Sequence, residues 1–402
     1  MLFNGFTTLG FCSSNKGFYL DAITNALQVE RSLFSIGDSI RFITTAIVSV
    51  FFGTLVNKFG IKKLIIAGFV CLIACMVIYS TANSLIWFYI GNFLLGMGLS
   101  WTTTAMVGCI VNKWCKEKKG TIMGAVLAAN GLGGATAIQI VGPIIESGTW
   151  GYRSAYQLVA VILLVVALLV LVLFKESPKG EKNEEIVVEK KKSRGEVWEG
   201  IEFDKAKKTL FFYLASFSVL MTGLVLQAIN GVSITHMKDV GLAASYVTLV
   251  SSFHSLTLTG FKFLSGVLYD RYGLRVTTTI CYVTAIIVMV AIAAVTNSAM
   301  GMVLAMVYGV FSSLALPLET VMIPIIAGDM FGQKSFNQIM GIFTALNSVG
   351  FAIGSPLANW TYDKVGTYTP MFIVCAVVMV LVVIVFQVSL TMSIKTRKRL
   401  SE

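Results

Sequence analysis

What most limits the possible folds of this chain is the recurrence of apolar runs about 20 residues long, each nearly free of charge. Twelve fall at approximately 2–25, 34–57, 63–82, 85–110, 121–146, 154–174, 209–236, 244–268, 275–296, 299–326, 336–360 and 368–392. In hydrocarbon such a stretch satisfies its backbone as a helix, and the alternation that a strand of a membrane barrel needs is absent. The 402 residues are 56% hydrophobic and 13% charged, with a mean hydropathy of +0.81. That is too apolar to clothe a water-soluble domain, so the chain reads as an integral membrane protein. Its first run begins without a charged leader or a small-residue cleavage site. It reads as a spanning helix, not a removable signal, with a few residues missing ahead of it.

One polar stretch, 175–208, separates six runs from six. It is rich in Lys and Glu, contains Pro178 and lacks apolar density, so it reads as a linker with a surface helix over 197–208. The expected domains are a bundle over 1–174, this linker, a second bundle over 209–392 and a basic tail, 393–402. Basic residues gather on one side of the runs: Lys58, Lys62 and Lys63, then Lys113 to Lys119, the linker, Arg271, Arg275 and the tail. Both termini and the linker are therefore expected in the cytoplasm, with the chain crossing a plasma (inner) membrane many times. The net charge of +11 reports that topology, and no nucleic-acid partner is expected. The seven cysteines fall mostly within apolar runs without ligand spacing, so no metal site is expected. No catalytic constellation competes, since neither His236 nor His254 has a spaced partner and no glycine-rich loop precedes Lys-Ser/Thr. An enzyme and a cofactor are not expected; the partners are the bilayer and a small solute, handled by a monomer.

The two halves share a segment. Gly53-Thr-Leu-Val-Asn57-Lys58-Phe-Gly60-Ile-Lys closes the second run, and Gly266-Val-Leu-Tyr-Asp270-Arg271-Tyr-Gly273-Leu-Arg275 closes the eighth. Two six-span halves with matching turns are a duplicated bundle. The pair resembles the signature of the major facilitator superfamily, G-x-L-x-D-R-x-G-R-R/K, with Asn57 where the first copy usually has Asp. The resemblance implies an all-α fold of twelve transmembrane helices in two pseudo-symmetric six-helix bundles. It also implies that the acidic residue caps a neighbouring helix and holds one conformer, with Asn57 the weaker latch. The runs from Trp114 to Gly124, Asn130 to Gly133, Trp150 to Tyr156 and Gly350 to Tyr368 further resemble the oxalate:formate antiporter and monocarboxylate porter branch.

Charge inside the runs is costly, about 3 kcal/mol on insertion scales, and asks for a function. Lys16 sits near the middle of the first run and Lys262 inside the eighth. On a helix, Ser251, Ser255, Leu258 and Thr259 fall within about 60° of Lys262, a small and mostly polar face. His254 borders that face as a cavity residue or a satisfied core histidine. In the branch resembled, the position of Lys262 is typically arginine; lysine keeps the charge and loses the bidentate fork. One cation per half, facing a shared cavity, suits an anion held between the halves. Glu319, on a run broken by Pro317 and Pro324, can neutralise Lys262, take up a proton or border a wet cavity. Gln227, Asn230, Asn130, Tyr19 and Asn347 are candidates for neutral hydrogen bonds to the solute. Asp21, Asp38 and Arg41 read as an ion pair or outer gate. Asn92 stands where the superfamily often has an arginine associated with proton coupling.

The reading is a secondary transporter that moves a small organic anion, a mono- or dicarboxylate, by alternating access, with a counter-anion or proton as its second ligand. Two alternatives stand beside it. One is a carrier of a neutral or cationic solute, with both lysines paired to Asp21 and Glu319. The other is a transporter-like sensor acting through its linker and tail.

Overall fold

The structure, a computed structural model, describes residues 10–12, 16–29, 31–115, 117–145, 151–174 and 200–401. In chain order its helices are α1 (Lys16–Leu27), α2 (Arg31–Val50), α3 (Phe52–Phe59), α4 (Ile61–Thr81), α5 (Leu85–Thr102), α6 (Thr104–Trp114), α7 (Lys119–Ile145) and α8 (Gly151–Leu173). There follow α9 (Phe203–Ala206), α10 (Leu210–Asp239), α11 (Ala244–Ala293), α12 (Ala299–Ala315), α13 (Met322–Phe331), α14 (Phe336–Val365) and α15 (Thr369–Ser401). The described residues contain no strand. Among the described residues, nine helical spans are long and apolar enough to cross a membrane, ten when α2 and α3, bent by 58° about Phe51, count as one. The span counted once at Ser245–Ala293 lies in α11, whose 50 residues would reach about 75 Å, more than twice a bilayer core. It is broken at Gly273 into two arms. The first expected run is described at residues 10–12 and from Lys16 on, and residues 175–199 of the expected linker lie outside the described residues.

The break in α11 shows why the signature needs glycine. Gly273 has φ 81° and ψ 175°; Gly60, between α3 and α4, has φ 83° and ψ 163°. The two positions are related by the sequence repeat and share a backbone conformation that L side chains avoid. Each lets one spanning helix end and the next begin without a connecting loop.

Glycine has a different use where the halves meet. Helix α7 of the first half packs on the first arm of α11, and α14 of the second half packs on α2 and α3. A Cβ on Gly124 would lie 2.6 Å from the carbonyl oxygen of Lys262, and one on Gly120 would lie 2.6 Å from that of Gly266. In the second pair, a Cβ on Gly53 would lie 2.7 Å from the Cα of Gln338. Backbone therefore rests on backbone at both interfaces, as small residues allow between membrane helices.

Two elements differ from the sequence expectation, and a third is broken where its prolines place the break. Helix α15 continues through the expected tail to Ser401, because the last stretch holds no Gly or Pro and its Lys398 and Arg399 suit a helix C-terminus. The tenth span is interrupted by a 3-10 turn at Leu316–Glu319 and resumes as α13, since Pro317 and Pro324 remove backbone donors. The end of the linker is not merely polar: Ile201 is buried, its N–H donates to the Phe331 carbonyl at 3.0 Å, and its own carbonyl accepts from Ser335 Oγ at 2.6 Å.

Gly124→Ala forces α7 away from the turn that carries Lys262 and should cost about 1–3 kcal/mol, the usual penalty of overpacking. Gly142→Ala on the same helix meets nothing within 4 Å and should leave the melting temperature of the purified protein unchanged; a thermal melt of both variants checks the contrast.

Candidate substrate cavity and gate

Distance along each helix sorts the candidate residues by depth. Measured from the ends that carry Gly60 and Gly273, here the motif end, Lys262 is about 15 Å deep on α11, Asn347 about 16 Å on α14 and Asn130 about 16 Å on α7. Glu319 is about 18 Å from the Phe331 end of its broken helix. These four share one layer near the middle of the membrane. Gln227, Asn230 and His254 lie about 9–14 Å further toward the opposite end.

Lys262 is 6% exposed. The face of α11 to one side of it meets α7 through Gly120, Gly124 and Thr259 beside Gly131. The face to the other side meets α12 through His254 and Thr257. Lys262 therefore points between two packed neighbours, toward the centre of the molecule. No carboxylate of the described residues lies within ion-pairing distance of it. Glu319 is near enough to act on it electrostatically, yet its Oε2 is buried without a hydrogen-bond partner among the described residues. Asn347 donates from Nδ2 to the Glu319 backbone carbonyl at 3.4 Å, while its Oδ1 is likewise buried and unpartnered. The layer thus offers one cation, one carboxylate and one amide oxygen with unused bonding capacity.

The outer candidates are more fully engaged. His254 Nδ1 lies 3.0 Å from Ser312 Oγ and 3.1 Å from Ser313 Oγ, which makes it part of the α11–α12 packing. Asn230 Oδ1 accepts from Tyr308 OH at 3.1 Å. Gln227 Nε2 donates to Ser355 Oγ at 3.5 Å, joining α10 to α14. Tyr19 belongs to the interior of the first half: its ring stacks on Tyr156 with centroids 4.1 Å apart, and its hydroxyl is buried without a partner among the described residues. The side chains of Lys16 and Asp21 lie outside the described residues; Lys16 opens α1 about 16 Å from its Leu27 end. Arg41 Nε is 3.4 Å from Asp38 Oδ1, and its guanidinium lies 4.2 Å from the Phe42 ring centroid. Asn92 is buried, with Nδ2 bonded to the Phe88 carbonyl at 2.9 Å.

At the motif end the halves are joined by polar contacts. Asp270 accepts from the backbone N–H of Gly120 at 2.9 Å and of Thr121 at 2.6 Å, so its carboxylate caps the N-terminus of α7, where orphan donors and the helix dipole both favour it. In the other copy Asn57 Oδ1 accepts a single bond, from Asn337 Nδ2 at 3.3 Å. Arg275 is turned outward onto Thr391 Oγ1 at 2.6 Å, and Lys58 lies over the Phe59 ring at 5.5 Å. Arg271 is exposed.

Several residues join this gate that sequence reasoning did not single out. Asn112 and Gln333 exchange amide bonds of 2.5 and 2.8 Å, and Lys119 donates to Asn112 at 2.9 Å. Cys109 Sγ contacts Asn337 Oδ1 at 2.9 Å. The available signal was an isolated amide beside each polar loop, which only the three-dimensional meeting of the loops makes specific. Toward the opposite end, the rings of Phe42 and Phe351 meet edge to face with centroids 5.4 Å apart.

The profile of the Major Facilitator Superfamily matches residues 2–231 and 215–402, and the chain belongs to that superfamily. It is a multi-pass membrane transporter, not an enzyme. It is 26% identical over 262 residues to the uncharacterized MFS-type transporter YcxA of Bacillus subtilis (strain 168), covering 64% of this chain and 61% of that protein's length. It is 23% identical over 328 residues to Monocarboxylate transporter 13 of Rattus norvegicus, covering 79% and 71%. With the Hexuronate transporter of Bacillus subtilis (strain 168) it shares 24% over 305 residues, covering 70% and 68%. The fold is also similar to that of solved transporters. The E. coli fucose:proton symporter FucP superposes with a TM-score of 0.73 at 14% identity, over 96% of this chain and 97% of that one. The proton:xylose symporter XylE gives 0.75 at 14%, over 95% and 93%.

The contact between Cys109 and Asn337 allows a direct test of the gate. Asn337→Cys should form a disulfide with the native Cys109 under mild oxidant, since the two side chains already touch. A mobility shift on a non-reducing gel, together with loss of transport that reductant restores, checks it.

Proposed function

We propose that this transporter carries a small organic anion bearing a carboxylate, by alternating access, with Lys262 as the carboxylate's charge partner in the second half. The observation that carries the reading is the buried lysine itself, free of any described salt bridge in a layer with unpaired acceptors. A lysine in that position repays its desolvation when a solute anion binds it. Lys16 is its counterpart from the first half, so that the anion bridges the two bundles and couples their movement. Asn130 and Asn347 orient the solute in the same layer, and Gln227 and Asn230 line its approach from the opposite end.

The relatives support this chemistry. The names of two of them, a monocarboxylate transporter and a hexuronate transporter, share a carboxylate and differ in the rest of the solute. The gate then works as a switch. Asp270 capping α7, the Asn112–Gln333 pair and the Asn57–Asn337 bond hold the motif end shut, and opening it to the cytoplasm requires all three to part. Asp270 is the strongest of these because a charged acceptor takes two backbone donors at once, while Asn57 offers a neutral acceptor to one. On this reading the motif end, both termini and the linker face the cytoplasm of a cell bounded by this membrane, as the positive charge there requires.

Lys262→Gln should abolish uptake of labelled lactate or pyruvate into proteoliposomes, leave the melting temperature within a few degrees of the parent and remove any thermal shift given by the carboxylate. Lys262→Arg keeps the charge and should retain uptake. Undiminished uptake by the glutamine variant would remove Lys262 from the site.

A further inference from the structure

We propose that a groove along α15 at the motif end binds an anionic phospholipid, with its phosphate on Arg275 and Lys395 and one acyl chain laid along the helix. The site is separate from the solute path and does not depend on what the transporter carries. Arg275 closes the second signature copy, yet it takes no part in the gate. Asp270 lies before the break at Gly273 and faces α7; Arg275 lies after the break, on the arm that turns away, and is exposed. Its Nη2 donates to Thr391 Oγ1 on α15 at 2.6 Å, and that hydroxyl donates in turn to the Gln387 carbonyl at 2.7 Å. A guanidinium offers several N–H donors in a planar fork, and this bond engages one of them. The fork is thus held on its α15 side, with its other donors unused among the described residues.

Lys395 stands one turn beyond Thr391 on the same face of α15, exposed and without an ion pair to any described residue. Side chains a turn apart on a helix are neighbours, so the two cations share one patch. Nothing local neutralises it: neither α15 nor the second arm of α11 contains an Asp or Glu. The carboxylate that does meet α15, Asp329, lies 3.9 Å from Arg397, on the side of the helix away from Lys395. From the patch a groove of about 490 Å³ runs along α15 toward the middle of the membrane, walled by Val383, Ile384, Val388 and Met392. The polar side chains along it are taken up by α11, Thr391 by Arg275 and Gln387 through a 2.9 Å bond from its Nε2 to Thr279. From Val383 to Lys395 the groove follows about 18 Å of helix, close to the depth of one leaflet of the hydrocarbon core. An apolar trough of that depth beneath paired cations fits a lipid with a negative headgroup, whose phosphate and chain are served together. A zwitterionic lipid brings its own cation to the patch and gains less from it. A soluble anion leaves the trough unused.

The test is native mass spectrometry of the purified full-length protein mixed with equal amounts of phosphatidylglycerol and phosphatidylcholine bearing the same acyl chains. The parent should retain at least about fivefold more phosphatidylglycerol, and the preference should shrink as salt is raised. Arg275→Gln and Lys395→Gln should each reduce the preference severalfold, and the double variant should bring the two lipids to parity. Lys63→Gln, which removes an exposed lysine of the first half at the same membrane surface, should keep it. Equimolar glycerol phosphate, the headgroup chemistry without chains, should not displace the lipid. Equal retention of both lipids by the parent overturns the proposal, as does an unchanged preference in the folded double variant. An equal loss in Lys63→Gln overturns it too, because the preference then belongs to the whole basic surface; displacement by glycerol phosphate assigns the patch to a soluble anion instead. If a thermal melt shows that Arg275→Gln does not fold, Lys395→Gln decides alone, since that exposed side chain ends the groove without an ion pair to any described residue.

Discussion

Backbone resting on backbone at two symmetry-related helix crossings is the contact on which the rest of this molecule depends. In hydrocarbon there is no hydrophobic force to press one helix on another, so packing and hydrogen bonds have to do it. Gly120 and Gly124 let α7 settle on Gly266 and Lys262, and Gly53 and Gly341 let α14 settle on α2 and α3. Only at that separation can the Asp270 carboxylate reach the first N–H groups of α7. The same approach fixes the turn of α11 that carries Lys262. One geometric feature therefore joins the halves at the motif end and fixes the place of the buried Lys262.

This coupling gives the two signature copies unequal jobs. Their glycines adopt nearly the same backbone angles, but Asp270 makes two bonds with a charged acceptor and Asn57 makes one with a neutral acceptor. The deficit on the Asn57 side is offset by the Asn112–Gln333 exchange and by Cys109 against Asn337. Neutral side-chain bonds of this kind are worth about 1 kcal/mol each, and they break singly. A rigid cap on one side and a set of weak ties on the other favour a gate that opens first along the α3–α14 side.

The parts of this architecture that were legible in the sequence are those with a local physical signature. Apolar run length marks the helices, the repeated Gly-x-Leu segment marks the duplication, and a charge inside a run marks Lys262 and Glu319. Whatever depends on which helix faces which was not legible. Tyr19 looks like a cavity residue in one dimension and stacks on Tyr156 within the first half, while His254, which the sequence left between a cavity residue and a satisfied core histidine, bonds to the serines of α12. The cross-half amides went unnoticed for the converse reason: Asn112 and Gln333 sit 221 residues apart, and nothing local pairs them. Depth, by contrast, was computable from helix rise alone once the motif ends were aligned.

Depth also explains why the candidate residues divide as they do. The layer of Lys262, Glu319, Asn130 and Asn347 lies where water is least available from either side, so a charge there interacts most strongly with whatever enters. The layer of Gln227, Asn230 and His254, nearer one surface, is already knitted by hydrogen bonds between helices of its own half. On the proposed reading, a solute crossing the second layer meets groups that can exchange one hydrogen bond for another at little net change, and on reaching the first it meets the buried Lys262. Recognition energy would then, on that reading, be released at the depth where the two halves share the ligand, where it can drive the parting of the gate at the motif end.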